Sequence, residues 1–204
     1  ILAPDQRGHG GSRPVPTASE FTPIAFAQDV AALQEALHFK PAWLIGHSMG
    51  VRTASALAHL RPDLVQGLIL VDLGFSGPAG GGLGSGLAGF LQTLPESFPS
   101  RAEARGFLKQ HCPDVAIGQY LAAVAQTDAT SGITTFPFDH AALIKTLEAA
   151  ATNSVREWLQ ERAARGLPIL ARRGANSGVW NEAEFAQERK AFQAMPNVVF
   201  ETFE

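Results

Sequence analysis

The sequence predicts an α/β fold: a parallel sheet with helices on both faces, interrupted by an inserted helical segment. Three observations predict it. Short apolar runs alternate with helical patterns over the first seventy or so positions. A glycine-rich stretch then breaks that rhythm and only helices follow. A strand, a loop, a helix and a final strand resume it before Glu204.

Taken in order, Ile1-Leu2-Ala3-Pro4 reads as the end of a buried strand running into the loop Asp5-Gln6-Arg7-Gly8-His9-Gly10-Gly11-Ser12. Thr22-Pro23 has the form of an N-cap followed by proline at the first helical position. Ile24, Ala27, Val30, Ala31, Leu33 and Leu37 then recur at helical spacing. Ala42 to Ile45 is a strand, Gly46 to Gly50 a turn, Val51 to Leu60 an alanine-rich helix, and Gly67 to Val71 a second buried strand. Eight of the 20 glycines lie between Gly74 and Gly89, a composition expected to form neither strand nor stable helix. From about 90 to 165 only helices are expected. Ser100, Asp114 and Asp139 are their N-caps, and Asn153 or Ser154 starts the last one. Pro168 to Arg172 is a strand, Arg173 to Val179 a loop, Glu182 to Ala194 a helix and Val198 to Phe203 a strand. The expected division is therefore a sheet domain in two parts, 1–73 and 165–204, around a helical cap at 74–164.

Composition narrows the function. With 204 residues, 46% apolar, the chain is long enough for one self-sufficient core. A net charge of −3 supplies no basic field for nucleic acid. One cysteine excludes a disulfide framework and a cysteine-based zinc cluster. No apolar run reaches the ~20 residues of a membrane span. His111-Cys112 lacks metal-ligand companions, and the glycine run 80–86 lacks the Lys-Ser/Thr ending of a phosphate loop. No cofactor and no metal are expected, and the chain is read as cytoplasmic.

The sharpest motif is Gly46-His47-Ser48-Met49-Gly50, a Gly-x-Ser-x-Gly between strand and helix. A nucleophile at such a tip stands in a strained turn, and the positions two before and two after it must be small to avoid collision. Ser48 would then open the following helix, where the Met49 N–H and the helix dipole favour a developing oxyanion. A serine needs a histidine base, and the base a carboxylate to orient it. Sites in parallel sheets form at the carboxyl ends of strands. Asp72 ends the strand after the nucleophile strand, whereas the strand 168–172 has no carboxylate after it before Glu182. Asp72 is the expected acid. None of the six histidines is a convincing base: His38 and His59 lie at helix ends, His111 and His140 in the insertion. His9 braces its loop, and His47 points away from Ser48 in a structural role.

Together these residues resemble the α/β-hydrolase superfamily, over nearly the whole chain. Asp5 to Ser12 resembles the family's Asp-x-Arg-Gly-x-Gly-x-Ser loop after its fourth strand, and Gly46 to Gly50 its nucleophile elbow after the fifth. The helices from about 75 to 164 stand where the family inserts its cap. Pro168 to Gly174 resembles the strand that precedes the usual acid, but the acid position holds Ser177. Esterase-like members that carry the acid after strand six correspond to Asp72.

The resemblance implies that the family's first three strands, a His-Gly loop with the second oxyanion N–H, and the catalytic histidine fall outside the 204 residues. The chain is thus expected to be a fragment, insoluble and inactive alone, with an apolar sheet edge along its first strand. The implied function is a serine hydrolase that cleaves an ester or related acyl bond through an acyl-enzyme. A carbon–carbon hydrolase or thioesterase on the same scaffold, and a non-catalytic ligand-binding protein, are the alternatives. Phe75, Phe90, Phe98, Phe107, Phe136 and Phe138 suggest a small-molecule substrate with an apolar acyl or aromatic part, or else the cap's own core.

Overall fold

A computed structural model describes residues 1–13, 15, 20–76, 83–152 and 154–204. In chain order the elements begin with α1 (Pro23–Ala36), β1 (Ala42–His47), α2 (Met49–Leu60) and β2 (Val65–Val71). They continue with α3 (Leu83–Thr93), β3 (Ser97–Phe98), α4 (Arg101–His111), α5 (Val115–Val124), β4 (Gln126–Thr127), β5 (Thr134–Thr135) and α6 (His140–Thr152). Last come α7 (Arg156–Ala164), β6 (Ile169–Gly174), α8 (Glu182–Ala191) and β7 (Val198–Phe203). The chain divides into two compact units. One, the sheet unit, comprises Glu20–Leu83 and Ala149–Glu204; the other, the helical unit, comprises Ile1–Ser19 and Gly84–Glu148.

The sheet unit is a four-stranded parallel sheet in the order β1-β2-β6-β7 with flanking helices. Parallel strands need crossover segments, and the helical periods between the apolar runs provide them. β2 is central, and its Leu68 and Leu70 are fully buried. The small residues Ala54, Ala56 and Ala58 bring α2 close to the sheet, and Leu57 fills the space between. Phe75, Trp180, Phe185, Phe192 and Phe200 add an aromatic cluster to this core, with ring centroids 4.9–6.4 Å apart. β1 is an edge strand among the described residues, with Trp43 51% and Ile45 74% exposed. Trp43 lies flat over Gly67, where a Cβ would stand 2.6 Å from the indole.

The helical unit has its own core of Phe90, Leu91, Phe98, Leu108, Leu121, Phe136 and Phe138. Its caps are those the sequence indicates: Ser100, Asp114 and Asp139 accept the N–H groups of Glu103, Ile117 and Ala142. The loop Gly8–Arg13 is stitched to the segment 136–139 within the same unit. The Gly10 N–H donates to the Pro137 carbonyl at 2.8 Å, the Asp139 N–H to Gly8 at 2.8 Å, and Arg13 to Phe136 at 3.0 Å.

Several expectations are corrected. Among the described residues, Ile1 to Pro4 is exposed and forms no strand, since no backbone ladder pairs it, and β1 is the edge strand of the four-stranded sheet. The glycine-rich stretch is partly helical. Residues 77–82 fall outside the described residues, but α3 starts at Leu83 and carries Leu87, Phe90 and Leu91 into the second core at helical spacing. That burial outweighs a cost of about 1 kcal/mol for each glycine. The segment read as purely helical also contains the small antiparallel sheet β3-β5-β4, whose two-residue strands are too short to show a period.

α7 and Phe75 lie in the sheet unit, whereas residues 1–19 lie with the helical one. Asn153 falls outside the described residues. α7 begins after Val155, which makes no side-chain cap, and the Ser154 hydroxyl accepts the Arg156 N–H. α8 stops at Ala191, three residues short of the expected end. The phenylalanines at 90, 98, 136 and 138 are buried against one another as core.

Within the helical unit, His140 is half-buried against Phe136 and Phe138. Burial pushes its imidazole below the ordinary value of 6.5, against the pull of Glu96, Asp139 and the Leu94 backbone. The folded state resists a proton that the unfolded chain accepts, so stability falls as the pH drops below 6.5. Thermal melts at pH 7 and pH 5 should show a drop that His140→Gln reduces.

Candidate active site

The register of β1 on β2 decides the site. His47 pairs with Val71, so Ser48 and Asp72 are the first residues past the carboxyl ends of neighbouring parallel strands. The Ser48 N–H donates to the Val71 carbonyl at 3.0 Å and ties the two ends together. β6 joins the same edge: the Asp72 N–H donates to the Arg172 carbonyl at 2.8 Å, and the Gly174 N–H donates to Asp72 Oδ1 at 3.0 Å.

Ser48 stands at φ 51°, ψ −120°, a backbone conformation that a residue with a side chain rarely adopts. The strain is held by packing around it. A Cβ on Gly46 would lie 2.3 Å from the Gly50 carbonyl oxygen, so this position requires glycine. Gly50 differs from the expectation: a Cβ there meets nothing within 4 Å, and the turn is crowded on one side only. Ser48 is also the N-cap of α2, but its hydroxyl makes no capping hydrogen bond. The Met49 N–H is among the first amides of α2, which lack an intrahelical acceptor and carry the positive end of the helix dipole.

Asp72 has φ 59°, a left-handed conformation that aspartate tolerates better than most side chains. Its turn re-aims the chain at the strand end. Where the related acid would stand after β6, Ser177 closes a turn instead. Its hydroxyl accepts the N–H groups of Val179 and Trp180 at 3.3 and 3.1 Å, and its own N–H donates to the Gly174 carbonyl at 3.0 Å. The buried Arg173 braces that loop by donating to the Trp180 carbonyl at 2.6 Å, and pairs with Glu182 at 3.0 Å. Glu182 is thus an exposed ion-pair partner. The Gly174 N–H is the contact that sequence reasoning missed, because Gly174 and Asp72 lie 102 residues apart and only the pairing of their strands brings them together.

The histidines of the sheet unit lie elsewhere or face out. His38 follows the carboxyl end of α1 and His59 lies in the last turn of α2, and both helices lead into the opposite edge of the sheet. His59 stacks on Trp158 at 5.0 Å, with Glu161 at 3.5 Å. His47 is exposed rather than packed. In the helical unit the ring of His9 bonds the Arg7 carbonyl at 3.2 Å, which matches a bracing role, and His111 bonds Phe107 at 3.0 Å. Asp5 accepts the Gly11 N–H at 2.8 Å and is engaged within its own loop.

This architecture, with its serine at a strained strand-to-helix tip, is that of the α/β hydrolases. The chain belongs to the alpha/beta hydrolase fold family, whose pattern matches residues 1–177. Over 104 residues it is 38% identical to the mouse (Mus musculus) sn-1-specific diacylglycerol lipase ABHD11, which covers 48% of this chain and 32% of that one. Over 200 residues it is 27% identical to a putative esterase/lipase of Haemophilus influenzae, covering 97% of this chain and 63% of that one. Among solved structures, E-2-(acetamidomethylene)succinate hydrolase superposes with a TM-score of 0.73 at 22% identity, covering 97% of this chain and 70% of the other. The chain therefore spans between about a third and two thirds of the length of these two curated relatives.

The elbow geometry predicts an asymmetry between its glycines. Gly46→Ala should destabilise the protein by about 1–3 kcal/mol through overpacking, whereas Gly50→Ala should leave the urea midpoint nearly unchanged. Equal effects of the two substitutions would contradict the one-sided crowding.

Proposed function

We propose that this chain carries the nucleophile and the acid of a serine hydrolase that cleaves an ester or related acyl bond. The single observation that carries the reading is the Ser48 backbone, held in a strained tip at the start of α2 and hydrogen-bonded to the strand that ends on Asp72. The Ser48 oxygen attacks the carbonyl carbon while a histidine base takes its proton. The Met49 N–H faces the developing oxyanion, a type of contact worth about 10²–10³ in rate. Collapse expels the alcohol, which receives the proton from the histidine and leaves an acyl group on Ser48. Water, activated by the same histidine, then releases the acid. Asp72 orients the histidine and stabilises its charged form.

The reading assigns the histidine to the whole protein, outside the 204 residues, and treats Gly84–Glu148, the part of the expected 74–164 that lies in the helical unit, as the cap. The named activities of the relatives, a diacylglycerol lipase and a putative esterase/lipase, support an acyl substrate. A carboxylate fixed by the Gly174 N–H after β2, with Ser177 in the usual acid position, supports Asp72 over any later residue.

A fluorophosphonate probe on the whole protein should label Ser48, and Ser48→Ala should abolish both label and turnover. An unlabelled Ser48 would leave a ligand-binding protein as the better reading. Asp72→Asn should lower kcat by about 10⁴-fold, whereas Glu182→Gln should leave it unchanged. Parallel assays on p-nitrophenyl esters, thioesters and β-diketones separate the esterase from its thioesterase and carbon–carbon hydrolase alternatives.

A further inference from the structure

The hydrolase chemistry gives no part to Glu188, a carboxylate on α8 that is only 2% exposed. A charge buried this far is tolerated when its oxygens are paired, and both are. Oε1 accepts the Ser76 hydroxyl, and Oε2 accepts Nε of Arg156 at 3.1 Å. Ser76 lies four positions after Asp72, and Arg156 is the first residue of α7, so the acid bridges two segments far apart in sequence.

The backbone joins the same two segments. The Phe75 carbonyl accepts the N–H groups of Val155 and Arg156 at 2.8 and 3.1 Å, and the Ser154 hydroxyl at 3.2 Å. Phe75 is fully buried with its ring against Trp180 and Phe192, and a Cβ on Gly74 would come within 3.2 Å of Trp180. The stretch Asp72–Ser76 is therefore held at both ends. Gly174 and Arg172 hold Asp72, and Glu188 and α7 hold Phe75 and Ser76. Asp72 itself keeps a left-handed φ of 59°, which persists only where the neighbouring chain is fixed.

We propose that Glu188 is a positioning residue for Asp72: its buried carboxylate ties the loop after β2 to the start of α7 and so fixes the backbone on which Asp72 stands. The catalytic consequence rests on the reading of Asp72 as the acid; the structural one does not. Loosening the loop misplaces Asp72 without touching substrate, so kcat falls while KM changes little. A displacement of about 1 Å costs on the order of 10²-fold in rate.

The test uses the whole protein with Glu188→Ala, Glu188→Gln and Ser76→Ala. Leu159→Ala, a fully buried site on α7, serves as the control for general destabilisation. Hydrogen–deuterium exchange is read at 72–76 and 154–156, and kcat and KM on a p-nitrophenyl ester. Glu188→Ala should speed exchange at 72–76 beyond the control and lower kcat about 10²-fold at near-constant KM. Glu188→Gln can still accept from Arg156 and donate to Ser76, and should restore most of both.

If Glu188→Ala does not fold, Ser76→Ala carries the same expectation in milder form. Exchange at 72–76 no faster than in the control overturns the proposal, as does faster exchange with unchanged kcat. If Ser48 takes no fluorophosphonate in the unaltered protein, the hydrolase reading fails by itself, and the exchange data alone decide whether Glu188 holds this loop.

Discussion

The pairing of β1 with β2 in parallel register is the constraint on which the rest depends. It sets His47 beside Val71, and from that alignment Ser48 and Asp72 emerge together at one edge of the sheet. A shift of one residue would turn every side chain of β1 to the other face and separate the pair. The register is held by packing on both sides. Leu68 and Leu70 are buried in β2, and Trp43 of β1 closes over Gly67, a position that has room for nothing larger.

Strain at the site is local and is offset nearby. Ser48 and Asp72 both have positive φ, and each is the first residue past the carboxyl end of its strand. Gly46 admits the tight turn before Ser48, and the Gly174 N–H takes up one carboxylate oxygen of Asp72. Behind them the cluster of Phe75, Trp180, Phe185, Phe192 and Phe200 fills the unit from β2 to α8. The loops that carry the two polar residues thus stand on a close-packed aromatic base, which keeps unfavourable backbone conformations in place.

Much of this was legible in the sequence because it rests on short-range physics. Thr22 before Pro23, and Ser100, Asp114 and Asp139, cap the helices that follow them, since a cap depends only on residues within one turn. The buried strands were visible as apolar runs, and Ser48 by the glycines around it. What failed was long-range. Among the described residues Ile1 to Pro4 has the composition of a strand but pairs with none, and α3 forms despite its glycines because Phe90 and Leu91 find a core.

By itself, then, the sequence determined the alternation of strands and helices, the elbow around Ser48 and the candidacy of Asp72. Each follows from side chains acting over a few residues or from the rule that parallel strands end on one edge. Only the tertiary structure decided that the Gly174 N–H meets the Asp72 carboxylate and that Glu188 joins Ser76 to Arg156. These contacts link positions up to 112 residues apart. Their distances are set by how the strands and helices pack, and no local pattern in the chain encodes that.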